Sequence, residues 1–214
     1  MRAKLSSLFL ILVACLAGCG EGASDLPDCS TIKQVVVTDI DETLTTLDAE
    51  FVQQILDPSY DPAMRAGGPE LLRGYAERGF VIHYLTARAG TWVVGESTSC
   101  EQATIDWLKL HDFPWAEGRT WLTLPDDVVT GEDTIAYKTA AIEDRQAEGY
   151  TYVYAYGNAV TDIEAFVAAG IDLSRIFTVG DLAGEQGTQA IEGGNFVNHA
   201  AEQLPLVSAI CTFK

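Results

Sequence analysis

The chain has 214 residues, of which 48% are hydrophobic and 21% charged, and its 13 Lys and Arg against 31 Asp and Glu give a formal net charge of −18. This length suits one domain with a full-sized core, and the hydrophobic share excludes a disordered acidic tail. Proteins that bind nucleic acids carry a basic face, so the acidity argues against a nucleic-acid partner.

The first 18 residues have the pattern of an export signal. A positive start precedes an apolar run at residues 5–17, which is too short to span a bilayer comfortably, and small residues lead into Cys19. This pattern resembles a bacterial lipoprotein signal, which implies that Cys19 becomes the mature N-terminus and carries a lipid. We therefore expect an exported protein that is lipid-anchored to a bacterial membrane, on the periplasmic or cell-surface side. A cut before Cys15, secretion without a lipid, and a short uncut anchor stay open as alternatives.

Three cysteines remain after the signal, and an exported protein meets an oxidising compartment in which disulfides form. Cys29, Cys100 and Cys211 allow one disulfide and leave one thiol over. Cys29 and Cys211 flank the domain and are the first choice for the pair, although sequence alone does not fix connectivity. We expect the domain to be a monomer. The expected organisation is a signal peptide at residues 1–18, a lipidated cysteine and tether at 19–33, and one domain at 34–214.

From residue 34 onward, strand-like apolar runs alternate with helical patterns. The clearest strand is the β-branched run at 35–40, which is typical of a strand buried on both faces. The other predicted strands are, in chain order, residues 80–85, 120–124, 152–156 and 176–179. The predicted helices are residues 70–78, 100–111, 134–148 and 161–169, and glycines at 79, 149 and 170 suit the C-cap of three of them.

This alternation predicts an α/β fold, a Rossmann-like doubly wound parallel sheet with helices on both faces. Ligands of such sheets bind at the carboxyl ends of the strands. The only long irregular stretch, residues 44–69, lies where it could cover that edge. Because only about forty-five positions separate Asp41 from Thr86, and they already hold this stretch and a helix, we expect no large cap domain.

The most informative segment is the end of the first strand, where Asp39 and Asp41 flank Ile40. Side chains alternate along a strand, so the two carboxylates lie on the same side while Ile40 points into the packing. Two neighbouring carboxylates repel each other unless a divalent cation neutralises them or one of them carries a proton. The pair therefore predicts a metal or acid–base site. The alternative is an acidic turn after a strand.

Further polar residues follow the other predicted strands. Thr86 and Arg88 end the second strand, and Lys138 lies one turn into a helix. Asn158 and Asp162 follow a later strand. Each also has an ordinary explanation: a turn cap for Thr86, an exposed helix charge for Lys138, a tight turn for Asn158 and a helix-dipole partner for Asp162. Arg88 either contacts phosphate or pairs with a loop carboxylate.

Two other features of the sequence favour structural roles. His83 lies inside an apolar strand, so we expect a core residue with its hydrogen bonds satisfied rather than a catalytic base. The tryptophans are expected to pack in the core, with a lipid-facing patch as the alternative; they are Trp92, Trp107, Trp115 and Trp121.

In combination these residues resemble the four motifs of the haloacid dehalogenase superfamily of phosphohydrolases. The motifs occur in the expected order, as Asp39-x-Asp41-x-Thr43, Thr86, Lys138 and Gly157-Asn158-x-x-x-Asp162. Over residues 35–185 the chain further resembles the catalytic domain of lipins, which are Mg²⁺-dependent phosphatidate phosphatases, and the related domain of phosphatidylinositol-transfer proteins. The run Leu-Ser-Arg-Ile-Phe-Thr-Val at 173–179 is the most family-specific part. Glu42 departs from the glycine that lipins have there, which loosens the inference to phosphatidate.

The resemblance implies a role for each site residue. Asp39 would attack phosphorus and form an aspartyl-phosphate, and Asp41 would protonate the leaving oxygen and then activate water. Thr86 and Lys138 would hold the phosphate oxygens, and Arg88 is a further candidate for substrate binding.

The metal site implied by the resemblance takes Mg²⁺. Its ligands would be the Asp39 carboxylate, the backbone carbonyl of Asp41 and the side-chain oxygen of Asn158. Asp162 would complete the site by orienting a water or Lys138. Some transfer-protein relatives have lost the paired aspartates and only bind lipid, whereas this chain retains both.

The expected function is a Mg²⁺-dependent phosphomonoester hydrolase that acts on phosphatidate or a similar lipid phosphate. A site without a cap admits a large head group, and an anchor at Cys19 would give it a high effective concentration of lipid substrate. The net charge of −18 opposes an anionic membrane. The alternatives are a non-catalytic phosphatidate-binding module and a general exported acid phosphatase for soluble esters.

Overall fold

The computed structural model describes residues 26–213, so the predicted signal peptide and Cys19 lie outside the described residues. The strands are β1 (Gln34–Thr38), β2 (Val81–Leu85), β3 (Val93–Val94), β4 (Thr98–Ser99), β5 (Thr120–Thr123), β6 (Thr151–Gly157), β7 (Ile176–Thr178) and β8 (Gln189–Ala190). The α-helices are α1 (Ala49–Leu56), α2 (Gly68–Glu77), α3 (Cys100–Leu110), α4 (Glu132–Ala147), α5 (Val160–Ala168) and α6 (Val197–Gln203). Short 3-10 turns join them, and no helix within residues 26–213 is long and apolar enough to cross a bilayer.

A six-stranded sheet in the order β5-β2-β1-β6-β7-β8 forms the centre of the described part. All of its neighbouring strands are parallel. Numbered within this sheet alone, the order is 3-2-1-4-5-6, which is the Rossmann order, and the direction of strand addition reverses between β1 and β6. Within residues 26–213 the predicted α/β fold with no large cap domain is confirmed. Each predicted strand and helix is present, with ends shifted by at most two residues.

Helices cover both faces of the sheet because the central strands are apolar on both sides. On one face Val36 packs with Leu72 of α2 and Trp107 of α3. On the other, Val37 packs with Ile142 of α4 and Phe166 of α5.

Residues 44–69, expected to be irregular, instead contain α1 and the start of α2. The eight-residue helix α1 forms because Phe51 and Ile55, four residues apart, pack against Val94 and Cys100. The segments before and after α1 meet at an antiparallel bridge between Thr45 and Met64. The expectation that this stretch covers the carboxyl edge of the sheet is confirmed, since α1 forms one wall of the cavity there.

The predicted disulfide between Cys29 and Cys211 is present, and Cys100 is a buried free thiol. The bond lies at the amino edge of the sheet. A Cβ added at Gly79, two residues before β2, would lie 2.0 Å from the Cys211 Sγ. Arg119, just before β5, donates hydrogen bonds to the carbonyls of Cys29 and Gly79. Both ends of the described chain are therefore fixed on the side of the sheet opposite to the cavity described next.

Candidate active site

A cavity of about 480 Å³ lies at the carboxyl edge of the sheet, at the point between β1 and β6 where the direction of strand addition reverses. It brings together most of the predicted site residues: Asp39, Asp41, Arg88, Lys138, Asn158 and Asp162. Thr86 is buried beneath Asp41 and donates a hydrogen bond to it. The predicted residues thus converge on one place, as the order of the strands requires.

Lys138 lies between two carboxylates and is only 3% exposed. Its ammonium donates to Asp39 Oδ1 and to Asp162 Oδ1, both at 2.6 Å. Although burial opposes the charged form, these two carboxylates raise the pKa of Lys138 above its usual value. The ordinary explanation of Lys138, an exposed helix charge, is wrong.

The surroundings of Asp39 disfavour its ionised form. Burial, assisted by the nearby charges of Asp162 and Asp41, raises the pKa of Asp39 to about 7, although Lys138 acts in the opposite direction. A cation beside Asp39 would favour its ionised form. The site thus contains a buried carboxylate whose negative charge one ammonium only partly compensates.

Thr43 joins Asp39 to Asn158. Its hydroxyl lies 3.0 Å from Asp39 Oδ2 and 2.8 Å from Asn158 Oδ1. A hydroxyl has one proton and can donate to only one of these acceptors. At least one of the two oxygens therefore lacks this donor, and both converge on the same small volume.

These oxygens fit a hard cation. Mg²⁺ prefers oxygen ligands and usually keeps several waters. Asp39 Oδ2 and Asn158 Oδ1 could each supply one ligand, and the Asp41 carbonyl is the third candidate. Within residues 26–213 no group of three or more His, Cys, Asp and Glu side chains could hold a metal, so a cation here would depend on the amide and the backbone carbonyl.

Asp162 uses both of its oxygens inside the protein. Besides Lys138, it accepts hydrogen bonds from the backbone N–H groups of Asn158 and Ala159, at 3.0 and 3.1 Å. Gly157 permits this approach, because a Cβ there would lie 2.6 Å from the Asp162 Cβ. Of the two roles expected for Asp162, orienting a water or orienting Lys138, the structure shows the contact with Lys138.

Asp41 belongs to a second network, on the side of the cavity next to β2. Arg88 donates from Nε to Asp41 Oδ2 and from Nη2 to Asp41 Oδ1, both at 2.8 Å, which is a bidentate ion pair. The Thr86 hydroxyl donates to the same carboxylate at 3.2 Å. Of the two explanations that the sequence left open for Arg88, the structure shows the pairing with a carboxylate.

Arg88 also ties this network to two helices. Its third nitrogen donates to Thr104 of α3 at 2.9 Å, and its guanidinium lies 4.1 Å from the ring centroid of Phe51 in α1. The side chain is 3% exposed. Arg88 therefore fixes Asp41 relative to the helix that forms the cavity wall.

The sequence placed residues 44–69 at this edge but did not identify the side chains that form the cavity wall. The wall consists of Asp48, Phe51, Val52 and Trp92. Glu50, 5% exposed, holds the wall in place by accepting from Thr46, Tyr60 and the Ala63 N–H. Burial alone would raise the pKa of Glu50, but these three hydrogen bonds together lower it. The sequence around Glu50 is only weakly periodic, so it does not indicate that this acidic residue is buried and holds the wall.

His83 is a core residue, as predicted. Its ring nitrogens lie 2.7 Å from the Tyr152 hydroxyl and 2.9 Å from the Thr123 hydroxyl. Burial, with a smaller effect of Arg145, lowers the pKa of His83 to about 3. Of the tryptophans, Trp107 is buried, whereas Trp92 is 37% exposed at the cavity wall.

Fold and site together define an α/β domain with an acidic site at the reversal point of a parallel sheet. The sequence matches the family "PITM 1-3, LNS2 domain" over residues 36–180, which is more than half of the chain. The protein therefore belongs to the LNS2 domain family. This domain is lipin-like, so the resemblance to lipins and to phosphatidylinositol-transfer proteins is confirmed at the level of the family.

Two curated relatives are similar to parts of the chain. Protein retinal degeneration B of Drosophila melanogaster is 27% identical over 138 residues, which cover 64% of this chain and 10% of that protein. Membrane-associated phosphatidylinositol transfer protein 3 of Mus musculus is 24% identical over 144 residues, 67% of this chain and 13% of that protein. The similarity thus spans about a tenth of the relatives' length. Among solved structures, DsGPDH of Dunaliella salina aligns with a TM-score of 0.44 and 15% identity over 78% of this chain and 26% of that chain, too distant to support an argument.

Proposed function

We propose that the protein is a Mg²⁺-dependent phosphatase that hydrolyses phosphatidate or a similar lipid phosphate. The observation that carries the proposal is the placement of Asp39 at the cavity, between the ammonium of Lys138 and the convergent oxygens at Thr43. A nucleophilic carboxylate, a fixed cation for the phosphate oxygens and hard ligands for a metal are the parts that phosphoryl transfer needs.

Asp39 attacks phosphorus in line with the ester oxygen, the bond from phosphorus to that oxygen breaks, and an aspartyl-phosphate forms. Asp41 enters this step protonated, which requires that it leave the ion pair with Arg88, and it gives that proton to the departing oxygen. It then takes a proton from a water, which attacks phosphorus, releases inorganic phosphate and restores the Asp39 carboxylate. Lys138 holds a phosphate oxygen throughout and offsets the negative charge of Asp39 and Asp162.

Asp39, Asn158 and the Asp41 carbonyl would hold the Mg²⁺. When bound, the ion supplies charge neutralisation for the phosphate oxygens. The lipid substrate is proposed on two grounds. The cavity wall contributed by Phe51, Val52 and Trp92 is apolar, and one relative is named as a membrane-associated phosphatidylinositol transfer protein.

The test is phosphate release, with and without Mg²⁺, from phosphatidate vesicles and from a small aryl phosphate. We expect Mg²⁺-dependent release from the vesicles and none from the Asp39→Asn variant. Release from the aryl ester alone would instead identify an acid phosphatase for soluble esters.

A second candidate is a module that binds phosphatidate without turnover, which the names of the transfer-protein relatives favour. It predicts binding to phosphatidate vesicles with no phosphate release under any condition. Retention of both Asp39 and Asp41 favours the enzyme.

We also propose that Cys19 carries a lipid that anchors an exported, monomeric protein to a bacterial membrane. Intact-mass analysis of the membrane fraction should find an acylated chain that starts at Cys19. A Cys19→Ala variant should leave that fraction, and a chain of unprocessed mass would contradict the proposal.

A further inference from the structure

Glu42 has a backbone conformation that favours glycine. Its φ is 55°, in the left-handed region, where a residue with a Cβ is disfavoured. Two hydrogen bonds fix this turn: the Glu42 N–H donates to the Thr45 hydroxyl at 2.9 Å, and Arg65 Nε donates to the Glu42 carbonyl at 3.1 Å. Both bonds involve backbone atoms of residue 42 and are available to any residue. The turn therefore does not require the Glu42 side chain, which is present despite its conformational cost.

The side chain of Glu42 contacts Asn158 at the cavity. Glu42 Oε2 lies 3.3 Å from Asn158 Nδ2 and accepts a hydrogen bond from it. On its other side, Asn158 Oδ1 accepts from the Thr43 hydroxyl at 2.8 Å. The Asn158 carboxamide is thus held at both ends, by two residues of the same turn.

Only one of these two contacts selects the orientation of the amide. A hydroxyl can donate or accept, so Thr43 alone would accommodate either end of the carboxamide. An ionised carboxylate only accepts, so Glu42 requires the NH₂ end. This choice leaves Asn158 Oδ1 directed toward the Thr43 hydroxyl, which also lies 3.0 Å from Asp39 Oδ2.

We propose that Glu42 is a positioning residue that fixes the Asn158 carboxamide with its oxygen toward Asp39 and thereby raises the affinity of the site for Mg²⁺. The inference rests on the proposed function, because it requires the cation assigned to Asp39 and Asn158. Partners that orient a metal ligand typically contribute 10–100-fold to affinity.

The experiment is a calorimetric titration of the substrate-free, full-length protein with Mg²⁺, together with its melting temperature. Glu42→Gly should bind Mg²⁺ roughly ten-fold more weakly. Its melting temperature should stay unchanged or rise by about 2 °C, because glycine suits the left-handed turn. A weaker Mg²⁺ affinity without a lower melting temperature would show that Asn158 has lost its orientation and that the fold is undamaged.

Two further variants separate orientation from charge. Glu42→Gln keeps an oxygen that can accept from Asn158 and should retain most of the affinity. Asp181→Asn removes one negative charge from the neighbouring surface that Glu42 and Asn158 also line, and its affinity should match that of the unsubstituted protein.

Three outcomes would overturn the inference. Unchanged affinity in Glu42→Gly would do so while leaving the proposed phosphatase intact, if phosphate release persists. Equal weakening in Glu42→Gln and Glu42→Gly would mean that charge, and not orientation, is what matters. If the unsubstituted protein binds no Mg²⁺, the inference and the proposed metal site fail together.

Discussion

Lys138 is the residue on which the charge balance of the site depends. It is the common hydrogen-bond partner of Asp39 and Asp162, and all three side chains are at most 6% exposed. Removing one partner of a buried ionic network leaves the others uncompensated, which typically costs more than the network itself contributes.

We expect Lys138→Met to lower the free energy of unfolding by about 3–5 kcal/mol at neutral pH, because two buried carboxylates lose their cation. Urea denaturation measures this loss. Lys109→Met, at an exposed position of α3, serves as the control and should change stability little. A loss below about 1 kcal/mol for Lys138→Met would contradict the buried network.

A substitution at Arg88 tests how Asp41, the proposed general acid, is held in place. In Arg88→Lys the charge remains but the bidentate contact to Asp41 is lost. Because misplacing a general acid costs about 10²-fold or more, kcat for lipid phosphate should fall by about that factor while KM changes little. If KM instead rises with kcat unchanged, Arg88 binds the substrate phosphate. Arg73→Lys, on the exposed face of α2, is the matched control.

The sequence predicted which residues form the candidate site more accurately than it predicted their contacts. Asp39, Lys138 and Asn158 were predicted because their order matches known motifs and each follows a strand or lies on a helix at the same edge. The contacts of Arg88 with Thr104 and Phe51 were not predictable, because they depend on how α1 and α3 pack. The position of a residue at a strand end fixes where its Cα lies. The packing of the neighbouring helices determines which partner its side chain contacts.

Strand β2 contains His83, whose lowered pKa makes the stability of the folded protein depend on pH. His83 has a folded-state pKa of about 3 and an ordinary value of 6.5. Below pH 6.5 the unfolded chain binds a proton there that the folded protein does not bind. Stability attributable to this group is therefore complete above pH 6.5 and is lost as pH falls toward about 3.

Between pH 6.5 and pH 5 we expect His83 to remove about 2 kcal/mol of stability, at about 1.4 kcal/mol per pH unit. Urea unfolding at a series of pH values measures this slope. His83→Gln should show a shallower slope over the same interval, whatever its stability at pH 7. A slope equal to that of the unsubstituted protein would refute the assignment. His199, whose pKa burial lowers to about 4, stays in both proteins and contributes equally.

Most elements that the sequence predicted have long, regular patterns, and the three-residue strand β7 is the shortest of them. β1 and β6 are continuous apolar runs, and α4 spans sixteen residues. The two-residue strand β8 and the eight-residue helix α1 were missed. Such short elements are stabilised by neighbours that are distant in sequence, so a local pattern is too weak to identify them.

On the scale of the whole molecule, the disulfide between Cys29 and Cys211 closes nearly the entire domain, with a sequence separation of 182 residues. The sequence favoured this pair because the two cysteines flank the domain, although sequence alone does not fix the connectivity. A crosslink over so long a loop restricts the unfolded chain, so the double variant Cys29→Ser/Cys211→Ser should lose about 2–5 kcal/mol. Urea unfolding with and without reductant measures this. Reductant should destabilise only the unsubstituted protein, and an equal effect on the double variant would contradict the prediction.

The crosslink also fixes the place where the chain leaves the domain toward Cys19. It places the exit of the chain toward Cys19 on the side of the sheet opposite to the cavity. An acyl group on Cys19 would connect to Cys29 through ten residues, which span at most about 35 Å when fully extended. A compact body of this size has a radius of gyration of about 16 Å. With its exit side toward the membrane, an anchored protein would direct the cavity away from its own leaflet, so the expected gain in effective lipid concentration would apply to a surface across the aqueous gap, or to its own leaflet only after the domain turns over.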